Sequence, residues 1–202
     1  MDCDPLEGTE DLDNDGLPNF QDADDDGDGV SSLDEDACPN NGDSNADTLL
    51  DRIQNTVACF GDPVTTIELD DPSCTQIVNV YSTDYATMAA QVVAGDGTST
   101  SKNEEYNFPY GINGFRVACD QATITFIYHG VADLAGHRYV KYGPQVAMDM
   151  NSFAWFDYPV VFGQMDIGGV PTATATITIV DNGIADADPT PGFIVDPGGP
   201  IE

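Results

Sequence analysis

Between Asp2 and Asp51 the chain carries 18 of its 36 acidic side chains and no lysine or arginine. Two carboxylates about 5 Å apart repel by roughly 1 kcal/mol in water and by several times that where water is partly excluded. A segment this dense in like charge cannot fold on apolar contacts alone. It is either a solvated, disordered tail or a scaffold for bound cations, and the spacing of the acids decides between these.

A calcium loop places side-chain oxygens at alternate positions of a tight turn, glycine at position 6, a backbone carbonyl at position 7 and a carboxylate at position 12. Asp24, Asp26, Asp28, Gly29 and Glu35 meet that template in full, with the carbonyl of Val30 at position 7, its side chain free to pack inward, and Ser32 at position 9. Asp11, Asp13, Asp15, Gly16 and Asp22 repeat it, with Leu17 at position 7 and Asn19 at position 9. A degenerate third copy runs through Asp43, Asn45, Asp47, Leu49 and Asp51, with Thr48 where glycine belongs. Asp2 and Asp4, followed by Glu7 and Asp11, read as the remnant of one more loop. Calcium, as several ions, is therefore the expected cofactor.

The intervals separate this arrangement from EF-hands, because the loops nearly abut and leave no room for flanking helices. The run Asp11-Leu-Asp-Asn-Asp-Gly-Leu-Pro-Asn-Phe-Gln-Asp22 resembles the thrombospondin type 3 repeat. The resemblance implies aspartates wrapped around a row of calcium ions, cysteines stapling neighbouring repeats, and metal in the place of a hydrophobic core.

From Phe60 onward, short β-branched and aromatic runs alternate with turn residues. Strands are expected at Val64–Leu69, Ile77–Tyr81, Met88–Val93, Phe115–Ala118, Ala122–Tyr128, Arg138–Tyr142, Phe153–Phe156, Val160–Phe162 and Thr172–Val180, with a short helical turn between Leu49 and Val57. In the last strand Thr alternates with Ala, Ile and Val, as in a half-buried strand. The fold class is thus all-β: an antiparallel β-sandwich over 59–180, preceded by an irregular calcium-wrapped repeat arm over 1–58 and followed by an acidic, Gly/Pro-rich tail over 181–202. In that tail Asp181, Asp186, Asp188 and Asp196 either ligate one more calcium or are simply solvated, and Phe193-Ile194-Val195 is expected to rest on a partner's sheet edge. With the repeats, the runs Lys141-Tyr142-Gly143-Pro144 and Val195-Asp-Pro-Gly-Gly-Pro200 resemble bacterial surface proteins of the choice-of-anchor U type, which implies a β-rich surface domain without assigned catalysis.

A net charge of −31 argues against nucleic acid and anionic membranes as partners. No apolar run is long enough to span a bilayer. No signal peptide opens the chain, so either a mature or partial product or an export signal lying upstream is expected. Oxygen-rich calcium sites and five cysteines point outside the cell, to the cell surface. Cys3 and Cys38 are placed to clasp the repeats, Cys59 with Cys74 is the first pairing to consider, and an odd count leaves one thiol free or bonded to another chain. Neither a nucleophile elbow nor a Cys/His pair supports catalysis, and His129 with His137 fits no ligand spacing. Lys102 and Lys141, the only lysines, either form isopeptide crosslinks or are ordinary solubilising or paired residues. The expected function is a non-catalytic subunit of a filament, pilus or sheath, a homo-oligomer or polymer through arm and tail. A glycan- or protein-binding surface module and a passive spacer are the alternatives.

Overall fold

The computed structural model describes residues 10–83 and 106–202. The expected strand Met88–Val93, together with Asp2, Cys3, Asp4 and Lys102, lies outside them. Among the described residues, ten strands form two five-stranded antiparallel sheets: β1 Val57–Phe60, β2 Thr65–Leu69, β3 Ile77–Thr83, β4 Ile112–Ala118, β5 Gln121–Tyr128, β6 Arg138–Pro144, β7 Phe153–Asp157, β8 Val161–Ile167, β9 Val170–Val180 and β10 Phe193–Ile201. One sheet has the order β1-β2-β5-β9-β8 and the other β3-β4-β10-β6-β7. The all-β sandwich reading therefore holds.

Pleating explains the core. Ala173, Ala175, Ile177 and Ile179 of β9 face inward beside Ile124 and Phe126 of β5 and Ile67 of β2. Phe115 and Val117 of β4, Ile194 of β10 and Tyr139 of β6 meet them from the opposite sheet. Outward threonines pair across strands, Thr125 with Thr176 at 2.8 Å and Thr123 with Thr178 at 3.1 Å. Each fully buried aliphatic or phenyl side chain contributes about 1.5–3 kcal/mol, so apolar burial is the main support of this part.

Two strands go beyond the sequence reading. β1 begins where a helical turn was expected to end, the turn itself being confined to Asp51–Ile53. The expected tail is not a tail: β10 lies in the middle of its sheet, with Phe193–Gly198 paired to β4 and Gly198–Ile201 to β6. Phe193-Ile194-Val195 thus completes the chain's own sheet. The cysteine pairing also differs, with Cys38 bonded to Cys59 and Cys74 to Cys119. Cys59–Cys74 is excluded, and Cys38 is not available to Cys3. The first bond fastens the acidic arm to β1 and the second joins the turn between β4 and β5 to the segment before β3. Two disulfides are typical of extracellular proteins. Among the described residues no helix is long and apolar enough to cross a membrane.

Candidate metal centre

The three acidic loops share one backbone design. The position 1 carboxylate accepts the position 6 N–H: Asp11 from Gly16 at 3.1 Å, Asp24 from Gly29 at 3.0 Å, Asp43 from Thr48 at 3.2 Å. Position 3 accepts from position 5, as Asp13 from Asp15, Asp26 from Asp28 and Asn45 from Asp47. Position 5 accepts from position 7, as Asp15 from Leu17, Asp28 from Val30 and Asp47 from Leu49. Even position 9 repeats: Asn19, Ser32 and Asp51 take the position 2 N–H of Leu12, Asp25 and Ser44. Position 6 has φ of +98° at Gly16, +97° at Gly29 and +84° at Thr48, so the copy lacking glycine makes the same turn against its side chain's preference. Backbone N–H groups hold one oxygen each of Asp13, Asp15, Asp26 and Asp28, which leaves their other oxygens for a common centre in the first two loops. Asp11, Asp13 and Asp15 form one group with carboxylate oxygens within 4.8 Å of one another, and Asp24, Asp26 and Asp28 form another.

The loops differ in burial. The first is largely solvent-facing, and its position 12 residue Asp22 caps Ala23 and Asp24. The second is set into the protein: Asp26, Asp28 and Glu35 are 2 %, 0 % and 1 % exposed. Helix α1, Ser32–Asp36, carries Glu35 back to the loop and starts on Ser31, whose hydroxyl accepts the Asp34 N–H. Val30 turns its side chain into the sandwich core. A Cβ on Gly29 would stand 3.2 Å from the Cα of Asn79, so the loop lies directly on β3. Gln76 donates to the Gly27 carbonyl at 3.0 Å, and Arg52 pairs with Asp25 at 2.8 Å and Asp36 at 3.2 Å.

The second and third loops are linked electrostatically. Buried Asp51 exerts its charge on both Asp28 and Glu35. Burial raises Asp51 to about 6, Asp26 to about 7, Asp28 to about 8 and Glu35 to about 10, with Asp26 adding repulsion at Asp28, and Asp28 at Glu35. Asp26 Oδ2, Asp28 Oδ2 and both Glu35 oxygens are buried without a hydrogen-bond partner. Buried acceptors of this kind are costly unless paired. Arg52 does not reach them. A hard divalent cation, which takes six to eight oxygens, fits this set.

Two contributors escaped the sequence reading. Gln54, twelfth counting from Asp43, reaches Asp47 at 3.4 Å. Glu68 of β2 bonds Asn45 at 3.2 Å and is raised by burial and by Asp70, Asp47 and Asp51. The twelve-residue count could have found Gln54, whereas Glu68 arrives only through tertiary packing. The four C-terminal acids are not gathered into a ligand group among the described residues. Asp186 accepts the N–H groups of Asn182, Asp188 and Val195. Asp188 pairs with Arg116, Asp181 caps Gly192, and Asp196 contacts Lys141. His129 is bonded to Thr66 at 2.8 Å. No family model, no curated protein and no solved structure matches this chain.

Proposed function

We propose that the protein is a non-catalytic, calcium-stabilised extracellular structural protein, a self-assembling subunit of a cell-surface filament, pilus or sheath. Calcium is the favoured cation because, among the described residues, every side-chain donor of the loops is oxygen and no histidine or free thiol joins them. Asp24, Asp26, Asp28, Glu35 and Asp51 would hold one ion, Asp11, Asp13, Asp15, Asn19 and Asp22 a second, and Asp43, Asn45, Asp47, Gln54 and Glu68 a third, with the carbonyls of Leu17, Val30 and Leu49 contributing at position 7. The bound charge supplies electrostatic cohesion where the arm has no apolar core.

The observation that carries assembly is the arm's outer surface. Leu12, Leu17, Phe20, Leu33, Leu49, Leu50 and Ile53 are all between 36 % and 79 % exposed, though the arm is otherwise the most polar part of the chain. Single exposed apolar residues are ordinary, but a series of them over one cation-braced segment suits a surface that another subunit covers. Electron microscopy and sedimentation in calcium, then in chelator, test this. Filaments or oligomers that dissociate in chelator are expected, and single 21.5 kDa particles in calcium would overturn it.

One observation favours a surface binding module as the second reading. A groove of about 700 Å³ at the β7–β8 turn is lined by Phe156, Tyr158, Thr176, Thr178 and Gln145, aromatic and hydroxyl groups that suit a glycan. A clear hit on a glycan array would shift the reading to that module.

A further inference from the structure

The two sequence runs that carry the resemblance to surface proteins meet inside the sandwich. Lys141 on β6 and Asp196 on β10 face inward and are both 0 % exposed, with Nζ and Oδ1 2.6 Å apart. Lys141 stands opposite Gly198, and Asp196 lies two residues before that glycine on the same face of β10. A Cβ at position 198 would be 3.0 Å from Lys141 Cγ and 2.9 Å from the Tyr139 ring. Glycine there leaves the lane along which the lysine side chain crosses β10.

The contact is not aligned as a hydrogen bond. Lys141 Nζ and both Asp196 oxygens are buried without a partner of hydrogen-bonding geometry, despite the 2.6 Å approach. The walls are aromatic: the Tyr158 ring centre is 4.6 Å from Nζ, and Phe115 pairs with Asp196 across β4. A buried ion pair needs good alignment and further hydrogen bonds to offset the desolvation of both charges. This one has neither.

We infer that Lys141 and Asp196 are joined by an intramolecular isopeptide bond, formed by the folded chain without a cofactor. The reactants are the neutral amine and the protonated acid. Burial favours both, lowering Lys141 and raising Asp196, and the carboxylate of Asp186 raises both groups. With the charge of Asp186 acting on both groups of a dry, fully buried pair, a proton is retained within the pair. Nζ attacks Cγ of Asp196, forming the C–N bond of a tetrahedral adduct, which collapses as the C–O bond to the hydroxyl breaks. The proton lost from nitrogen leaves with that hydroxyl as water. Nothing is oxidised or reduced. The product is a neutral amide, which removes two buried charges and ties β6 to β10 covalently.

The test is the intact mass of the reduced, denatured wild-type chain, which should be about 18 Da below the mass of its sequence, with peptide mapping that returns a branched peptide containing Lys141 and Asp196. Lys141→Arg and Asp196→Ala should each restore the full sequence mass. The full mass in the wild type, or a loss of water located at any other residue, overturns the inference. Because the wild-type measurement is made on denatured protein, it decides the matter even if neither variant folds.

Discussion

The acidic arm and the sandwich are two solutions to the same shortage. A chain must offset its conformational entropy with something removed from water or something bound. The sandwich removes Ile124, Phe126, Phe115, Ile177 and their neighbours from water. The arm, from Asp11 to Asp51, sends only Val30 and Cys38 into the buried apolar set and uses carboxylates in their place. The two regions are fastened by Cys38–Cys59 and by Val30 in the shared core. Apolar burial and the proposed cation binding can therefore be varied separately in one molecule.

The sharpest way to break that comparison is to withdraw divalent cations. In chelator at neutral pH, amides from Asp11 to Asp51 should lose most of their hydrogen-exchange protection, while β5 and β9 keep theirs. Simultaneous loss in both regions would mean that the arm is part of the sandwich's folding unit. Acid should partly undo the chelator's effect. Asp51, Asp26, Asp28 and Glu35 are raised to about 6, 7, 8 and 10 from ordinary values near 4. The metal-free fold thus binds more protons than the unfolded chain. Its stability is fully present below about pH 4 and is lost as pH rises through 6 to 10. With calcium the sign reverses, because protons compete for the same oxygens and affinity falls on acidification. Exchange at pH 5 and pH 8, with and without calcium, reads both signs.

Phe126→Ala tests the other region. Its ring lies 6.1 Å from Phe115 and 5.8 Å from Tyr139 in the fully buried layer, so truncation should cost about 3–5 kcal/mol. The loss should be the same with saturating calcium as without it, read by denaturant unfolding of the β-sheet signal. Glu35→Gln should act in the opposite way. Calorimetry should show the affinity of one site falling by about 100-fold through loss of a carboxylate ligand, while the metal-free protein becomes more stable at neutral pH because its fold no longer has to keep Glu35 protonated far above the ordinary carboxyl range.

How much of this could be read in the sequence followed the range of the interactions. The loops are local, so alternation of aspartates over twelve residues was enough to locate them, and the third copy adopted the same turn despite Thr48. The sharing of Asp51 between loops, and the arrival of Glu68 from β2, depend on packing over long sequence distances and left no local pattern. Strands with β-branched alternation such as Thr172–Val180 were legible for the same reason. β10 was not, because Pro197, Gly198, Gly199 and Pro200 read as part of a Gly/Pro-rich tail. They fit a central strand because neighbours approach closely there: a Cβ on Gly199 would sit 2.6 Å from the Gly111 carbonyl oxygen, a position only glycine fills. Cysteine pairing was illegible in principle, since spacing does not define which strands become neighbours.

The smallest expected effect concerns how completely the loop design is fixed by local chemistry. Thr48 holds φ at +84° with a β-branched side chain, a conformation that costs of order 1 kcal/mol or more. It persists because Asp43 accepts its N–H and Asp47 accepts that of Leu49. Thr48→Gly removes the steric cost but adds freedom to the unfolded chain, which returns part of the gain. The net change should be a stabilisation of under about 1 kcal/mol, together with a few-fold tighter third site by calorimetry and no change at the second. Weaker binding at the third site would mean that the threonine side chain helps to hold the loop, and that the turn is set by packing on the sandwich rather than by the twelve-residue pattern.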